Sequence, residues 1–279
     1  MPRAAAAAAR GPRLDLWLAG HGLAESREKA QALVMAGRVQ VDGHPETKPG
    51  TAVPDGASVR VTPGPERVGR GALKLEGALD RFGVDPTGRV AVDIGASTGG
   101  FTEVLLLRGA VRVYAVDAGR GQLHEKLRSD PRVVVLEQTN ARNLSPRHVP
   151  EACGIATVDV SFISVLKILP ALRAVLLPAA DVVVLVKPQF EVGRFHVGRG
   201  GIVKDPALHA QALRDIAWAV QREQGYAIVD ARASPLEGTE GNREFFLHLL
   251  REGQTLAPDK LEAAIVAAIG ACPRARRRA

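Results

Sequence analysis

Apolar and polar positions follow two different rhythms along this chain, and the change comes near residue 70. Before it, the apolar residues are spaced for short helices. Leu14, Leu16, Trp17 and Leu18 outline one amphipathic helix; Ala30, Leu33 and Val34 give the inward face of a second, which Ser26 caps and Gly37 stops. Arg38-Val39-Gln40-Val41 then alternates as a strand, Asp42-Gly43 reads as a tight turn, and residues 59–61 supply a returning strand. The predicted layout of 13–62 is therefore two helices and a small hairpin, with the basic residues Arg13, Arg27, Lys29 and Arg38 outside.

From residue 72 onward, short apolar runs alternate with amphipathic stretches, the rhythm of a parallel sheet covered on both faces. Strands are predicted near 89–94, 111–116, 132–136, 155–159, 181–187, 226–231 and 244–250. Helices are predicted near 72–82, 99–108, 122–128, 164–175, 207–224 and 258–270. Thr62-Pro63-Gly64-Pro65 breaks any element between the two regions. The fold class read from this pattern is α/β: a Rossmann-like, mostly parallel seven-stranded sheet with helices on both faces, preceded by a small α+β domain. The predicted divisions are a leader over 1–12, a small domain over 13–62, a linker over 63–71, a large domain over 72–272 and a basic tail over 273–279.

Composition narrows the function. The 279 residues are 46% hydrophobic and 24% charged, ordinary values for a globular chain. Aromatics at 4% argue against a single-strand binder built on stacking platforms. A net charge of +7 suits a polyanionic partner. Cys153 and Cys272 have no metal-ligand spacing and read as reduced thiols of a cytoplasmic protein; the seven scattered histidines point to no metal. The alanine run 4–9 is too short for a signal peptide, and the strongest apolar stretch, 182–186, is far below membrane-spanning length, so no membrane partner is expected.

Candidate chemistry begins at the first strand of the large region. Val90-Ala91-Val92-Asp93-Ile94 runs into Gly95-Ala96-Ser97-Thr98-Gly99-Gly100-Phe101, a buried strand entering a glycine turn and then a helix. Ser97 spoils a dinucleotide fingerprint, and no Gly-Lys-Ser/Thr follows for a phosphate loop. What remains is a turn admitting close backbone approach by an uncharged or zwitterionic ligand, and S-adenosylmethionine fits that description. Asp117, ending the second strand, stands where ribose hydroxyls would lie; Asn140, after the third, can meet the adenine edge.

Four charges, Lys74, Asp159, Lys187 and Glu244, each stand at the edge of an apolar segment around this pocket. Spread over four segments, a Lys-Asp-Lys-Glu set points to proton handling and positioning. Lys74, judged by its own helix with Leu73 and Leu79, falls on the surface. Lys187, between a buried strand and Pro188, is expected to be partly desolvated, with burial and a nearby Lys74 pushing it toward the neutral form.

Two resemblances follow from these motifs. Arg13-Leu14-Asp15, Ser26-Arg27-Glu28-Lys29-Ala30 and Gly37-Arg38-Val39-Gln40-Val41-Asp42-Gly43 resemble the small RNA-binding domain of ribosomal protein S4. Arg70-Gly71-Ala72-Leu73-Lys74-Leu75, Asp93 to Thr102, Asp159-Val160-Ser161-Phe162, Lys187-Pro188-Gln189-Phe190 and Gly241-Asn242-Arg243-Glu244-Phe245-Phe246 look like the hemolysin-A (TlyA) family. That family joins an S4-like domain to an FtsJ-like class I methyltransferase.

The resemblance implies an S-adenosylmethionine-dependent 2′-O-methyltransferase acting on cytidine of ribosomal RNA, with ribosomal RNA or subunits as partner. It implies that Lys187 meets the ribose hydroxyl and accepts or steers its proton. Asp159 would orient Lys187 and the cofactor's amino end, while Lys74 and Glu244 tune that lysine and position the ribose. Expected RNA contacts are Arg13, Arg27, Lys29, Arg38 and Arg70, with Arg194, Arg199 and Lys204 around the glycine-rich stretch 193–201. Three rival readings fit less well. A base methyltransferase needs an Asn-Pro-Pro-Tyr clamp or a pocket cysteine where Asp159-Val160-Ser161-Phe162 stands. A non-catalytic assembly factor would have lost a member of the tetrad, and a cytolysin needs a long amphipathic or apolar segment.

Overall fold

A computed structural model describes residues 11–24, 26–35, 37–62, 68–238 and 240–271. The chain divides into two compact units, one through Glu66 and one from Arg67. Cys272 and the tail arginines lie outside the described residues, as do most of the leader and residues 63–67 of the linker.

In the smaller unit, helices α1 (Leu14–Gly20) and α2 (Arg27–Met35) precede β1 (Val39–Val41), β2 (His44–Glu46) and β3 (Val59–Val61). Leu14, Leu18, Ala30, Val34, Val39 and Val53 form its core, whereas Leu16 faces outward. Ser26 caps α2 as expected, its Oγ accepting the Lys29 N–H at 3.2 Å. The hairpin is not the predicted one. Asp42 (φ 52°) and Gly43 (φ 79°) make a left-handed turn that returns directly into β2, and β3 pairs with the other edge of β1. His44-Pro45-Glu46 has no strand propensity; Pro45 is tolerated because β2 is an edge strand.

The larger unit runs α3 (Gly71–Phe82), β4 (Val90–Ile94), α4 (Gly100–Leu107), β5 (Arg112–Val116), α5 (Glu125–Arg128), β6 (Val133–Leu136) and β7 (Cys153–Val158). It continues with α6 (Leu169–Leu172), β8 (Leu176–Val186), α7 (Pro206–Arg222), β9 (Ala227–Ala233), β10 (Phe245–Leu250) and α8 (Pro258–Ala271). The seven strands lie in the order β6-β5-β4-β7-β8-β10-β9. β4 to β8 are parallel, and β10 runs antiparallel to both its neighbours.

Pleat alternation sorts the core into two layers. Val92, Val182 and Val184 pack toward α6, α7 and α8, while Ala91, Val183 and Leu185 pack toward α3 and α4. Two predicted helices are shorter than their patterns. The 122–128 segment is helical only from Glu125, because the N–H groups of Gly121, Gln122 and Leu123 donate to the Glu137 carboxylate instead of starting a turn. The 164–175 segment breaks into α6 between two 3₁₀ turns, with Pro170 denying a donor to the preceding turn.

Candidate active site

The ends of five strands build one edge. β4, β5, β6, β7 and β8 are parallel, so Gly95, Asp117, Asn140, Asp159 and Lys187, each just beyond its strand, emerge together. Glu244 joins them for the opposite reason: it precedes β10, which is antiparallel, and Phe245 pairs with Val186 beside Lys187. The strand order reverses direction between β4 and β7, and there Asp159 N–H donates to the Ile94 carbonyl at 2.9 Å.

Gly95 adopts φ +83°, and a side chain there would collide with the Asp159 carbonyl. That close approach is why glycine stands at this turn. Gly99, at φ +99°, caps α4 and faces Leu123 and Leu127 rather than the cavities. Ser97 donates its N–H to Asp117 at 2.8 Å, and Gly119 donates to the other carboxylate oxygen at 2.7 Å, so Asp117 ties two βα turns together.

Two adjoining cavities open at this edge. One, of about 730 Å³, is lined by residues including Arg70, Lys74, Ala96, Thr98, Gly100 and Phe101, together with Asp159, Lys187 and Glu244. The other, of about 530 Å³, has an apolar floor of Ile94, Val116 and Ile168, with Asp117 and Asn140 on its walls. Gly95, Ser97, Asp159, Ser161 and Phe162 border both. The Asn140 side-chain Oδ1 accepts the Arg142 N–H at 3.1 Å, which fixes the amide at the cavity wall.

The four charges converge as two ion pairs. Lys74 Nζ lies 2.5 Å from Glu244 Oε2, with both side chains nearly buried. Lys187 Nζ lies 2.6 Å from Asp159 Oδ1 and donates to Ser161 Oγ at 2.9 Å. Asp159 Oδ1 has no aligned hydrogen bond, so its contact with Lys187 is an ion pair. Burial pushes the Glu244 carboxyl above its ordinary range, and the Lys74 and Lys187 charges offset this only in part.

Several expectations change here. Lys74 is buried, not on the surface: Leu73 takes the outward position, half exposed, and α3 turns the lysine into the cavity. Lys74 is also matched by Glu244, and the group nearest Lys187 is the Asp159 carboxylate. Asp93 lines neither cavity. It is fully buried and accepts hydrogen bonds from Thr102 (2.7 Å) and Thr157 (2.8 Å), pinning α4 and β7 to β4. Desolvation, followed by the nearby Asp159 charge, outweighs those bonds and raises Asp93 to about 6.

The expected RNA contacts divide in the same way. Arg13 and Arg27 are half exposed, but both bind buried Asp15, at 3.0 and 3.1 Å. Arg38 donates to the Thr62 carbonyl. Lys29, Arg70 and Lys204 are exposed; the side chains of Arg194 and Arg199 lie outside what is described. Missed by the sequence reading were Ser161 and Phe162. Phe162 holds a left-handed φ of 66° while 92% exposed, a strained posture for an aromatic residue at the junction of two cavities. No propensity signals it; only the position after Asp159 could have.

Residues 67–251 match the FtsJ-like methyltransferase family, and residues 12–59 match the S4 domain. The chain is 49% identical to 16S/23S rRNA (cytidine-2′-O)-methyltransferase TlyA of Mycobacterium tuberculosis, over 95% of this chain and 100% of the relative. It is 46% identical to the putative rRNA methyltransferase YqxC of Bacillus subtilis, over 89% and 91% of the two chains. The solved structure of a putative hemolysin from Streptococcus thermophilus superposes with a TM-score of 0.68 at 41% identity, covering 94% of this chain and 96% of its own. The chain belongs to the TlyA family of FtsJ-like methyltransferases, with an S4 domain ahead of the catalytic fold.

Proposed function

We propose that this protein methylates the 2′-hydroxyl of cytidine in ribosomal RNA, using S-adenosylmethionine, in the cytoplasm. The observation that supports it most is the meeting of Lys74, Asp159, Lys187 and Glu244 in one cavity beside the Gly95 turn. The second cavity fits the cofactor: an apolar floor for the adenine, Asp117 for ribose hydroxyls, and a glycine cradle that a side chain would fill. When bound there, S-adenosylmethionine supplies an electrophilic methyl group on sulfur.

The protein's part is to make a hydroxyl nucleophilic and hold it in line. A ribose hydroxyl attacks poorly until a positioned group relieves it of its proton. Lys187 is placed to steer that proton: it reaches the cavity from the end of β8, and Asp159 and Ser161 fix its amine. The Lys74–Glu244 pair lines the same cavity and orients the ribose. Phe162 offers a ring face at the mouth, where the base of the target nucleotide would lie. Lys29, Arg70 and Lys204 supply exposed positive charge for phosphates.

Unmodified ribosomal subunits incubated with the protein and methyl-labelled S-adenosylmethionine provide the test. Ribose methyls mapped by mass spectrometry should appear at cytidine; label on a base, or no transfer, would reject the reading.

A further inference from the structure

Phe195 lies within a 3₁₀ turn, Arg194–His196, ahead of a second at Arg199–Gly201, and its side chain is fully exposed. The segment is not loose. His196 N–H donates to the Gly193 carbonyl, and its ring Nδ1–H turns back to the Val192 carbonyl at 2.8 Å, closing a tight turn that leaves Phe195 pointing outward. The base is latched more firmly still. Buried Asn242 donates from Nδ2 to the Gly201 carbonyl at 2.9 Å and accepts the Val203 N–H at 3.0 Å. Buried His209 donates to the Val203 carbonyl at 2.8 Å. Asn242 lies two residues before Glu244, and Val197, Gly200 and Gly201 of the segment line the catalytic cavity.

Single exposed apolar side chains are common on protein surfaces; Phe195 differs in standing on a braced turn whose following residues, from Val197, line the catalytic cavity. A partner must reach this rim while its ribose enters the cavity. A nucleotide whose ribose enters that deeply leaves its stack, and aromatic wedges are a general means of filling the gap.

We propose that residues 193–203 form an arm that inserts the Phe195 ring among the bases of folded RNA beside the target cytidine, replacing the stacking the target gives up. This rests on the function proposed above and adds to it how a structured substrate is opened. The chain is poor in aromatics, which makes a phenylalanine spent on solvent at this rim the more telling. Charge alone, from Lys204 and its neighbours, would hold phosphates but could not take the place of a base.

The test compares wild type, Phe195→Ala, Phe195→Leu and Phe195→Trp on unmodified, folded ribosomal RNA and on a short unstructured oligoribonucleotide carrying the mapped target. Loss of one aromatic–base stack predicts a fall of about tenfold or more in kcat/KM for the Ala and Leu variants on folded RNA. Phe195→Trp should retain activity, all variants should bind S-adenosylmethionine as wild type does, and the oligonucleotide should be methylated equally by all. Undiminished activity of Phe195→Ala on folded RNA, or equal loss on both RNAs, would overturn the arm. Absence of transfer by the wild-type protein would instead remove the functional reading, and the arm with it.

Discussion

Two of the buried carboxylates, one in each unit, are treated in opposite ways. Asp15 of the smaller unit is fully buried and is met by Arg13, Arg27 and Gln31. Burial would raise its carboxyl, but those donors outweigh burial and hold it well below the ordinary range. Glu244 of the larger unit is nearly as buried, yet among the described residues Lys74 alone donates to its carboxylate, and burial wins. A charge surrounded by donors is a structural rivet. A charge kept undersupplied remains responsive to what enters the cavity, which is how perturbed groups come to mark functional sites.

Lys187→Ala should show the functional side of this contrast most strongly. Loss of a group positioned to steer the hydroxyl proton is expected to lower kcat on the order of 10²- to 10⁴-fold, with S-adenosylmethionine affinity changed only a few-fold. Single-turnover transfer and calorimetric binding would measure both; full turnover would end the assignment of Lys187. Lys74→Ala should leave Glu244 buried without its cation, costing the larger unit about 3–5 kcal/mol in denaturant unfolding. Adding Glu244→Gln should recover part of that loss, and no recovery would mean that the pair is not coupled.

In the smaller unit, Asp15→Ala strands two guanidinium groups that remain half exposed, so a smaller cost, about 1–3 kcal/mol, is expected. Hydrogen exchange should show it confined to residues 13–62, with cofactor binding unchanged; exchange rising equally in both units would refute the local role.

A pH titration sharpens the comparison with a third buried carboxylate. Asp93 is raised from 3.8 to about 6, so folding favours its protonated form. Its contribution is complete below the unfolded value and is lost as the pH rises through about 6. The stability of wild type relative to Asp93→Asn should therefore fall between those values and level off above them; a flat difference would contradict the shift. The smallest effect belongs to Lys29→Gln, which should weaken RNA binding slightly and reduce the salt slope by about one. An unchanged slope would take Lys29 off the RNA surface.

Much of this was legible in the residues. The seven strands, the glycine turn after β4 and the four charges can all be read from apolar runs and the residues that end them, because a strand buried on both faces needs an unbroken apolar sequence. Lys74 could not be read correctly, since its helix places it by period alone and only packing against the sheet decides which face is covered. Asp93 was misplaced because strand alternation gives a side, not what lies on that side: α4 and β7 bring Thr102 and Thr157 against it. Segment boundaries at 122–128 and 164–175 failed where a carboxylate or a proline diverted backbone donors.

By itself, then, the sequence determined which segments are strands and helices, and which polar residues stand at their ends. The tertiary structure alone decided that these ends meet. Parallel order gathers the carboxyl ends of five strands at one edge, and the antiparallel insertion of β10 brings the amino end of a sixth, with Glu244, to the same place. Strand direction and neighbour order are properties of long-range pairing, which no local pattern encodes.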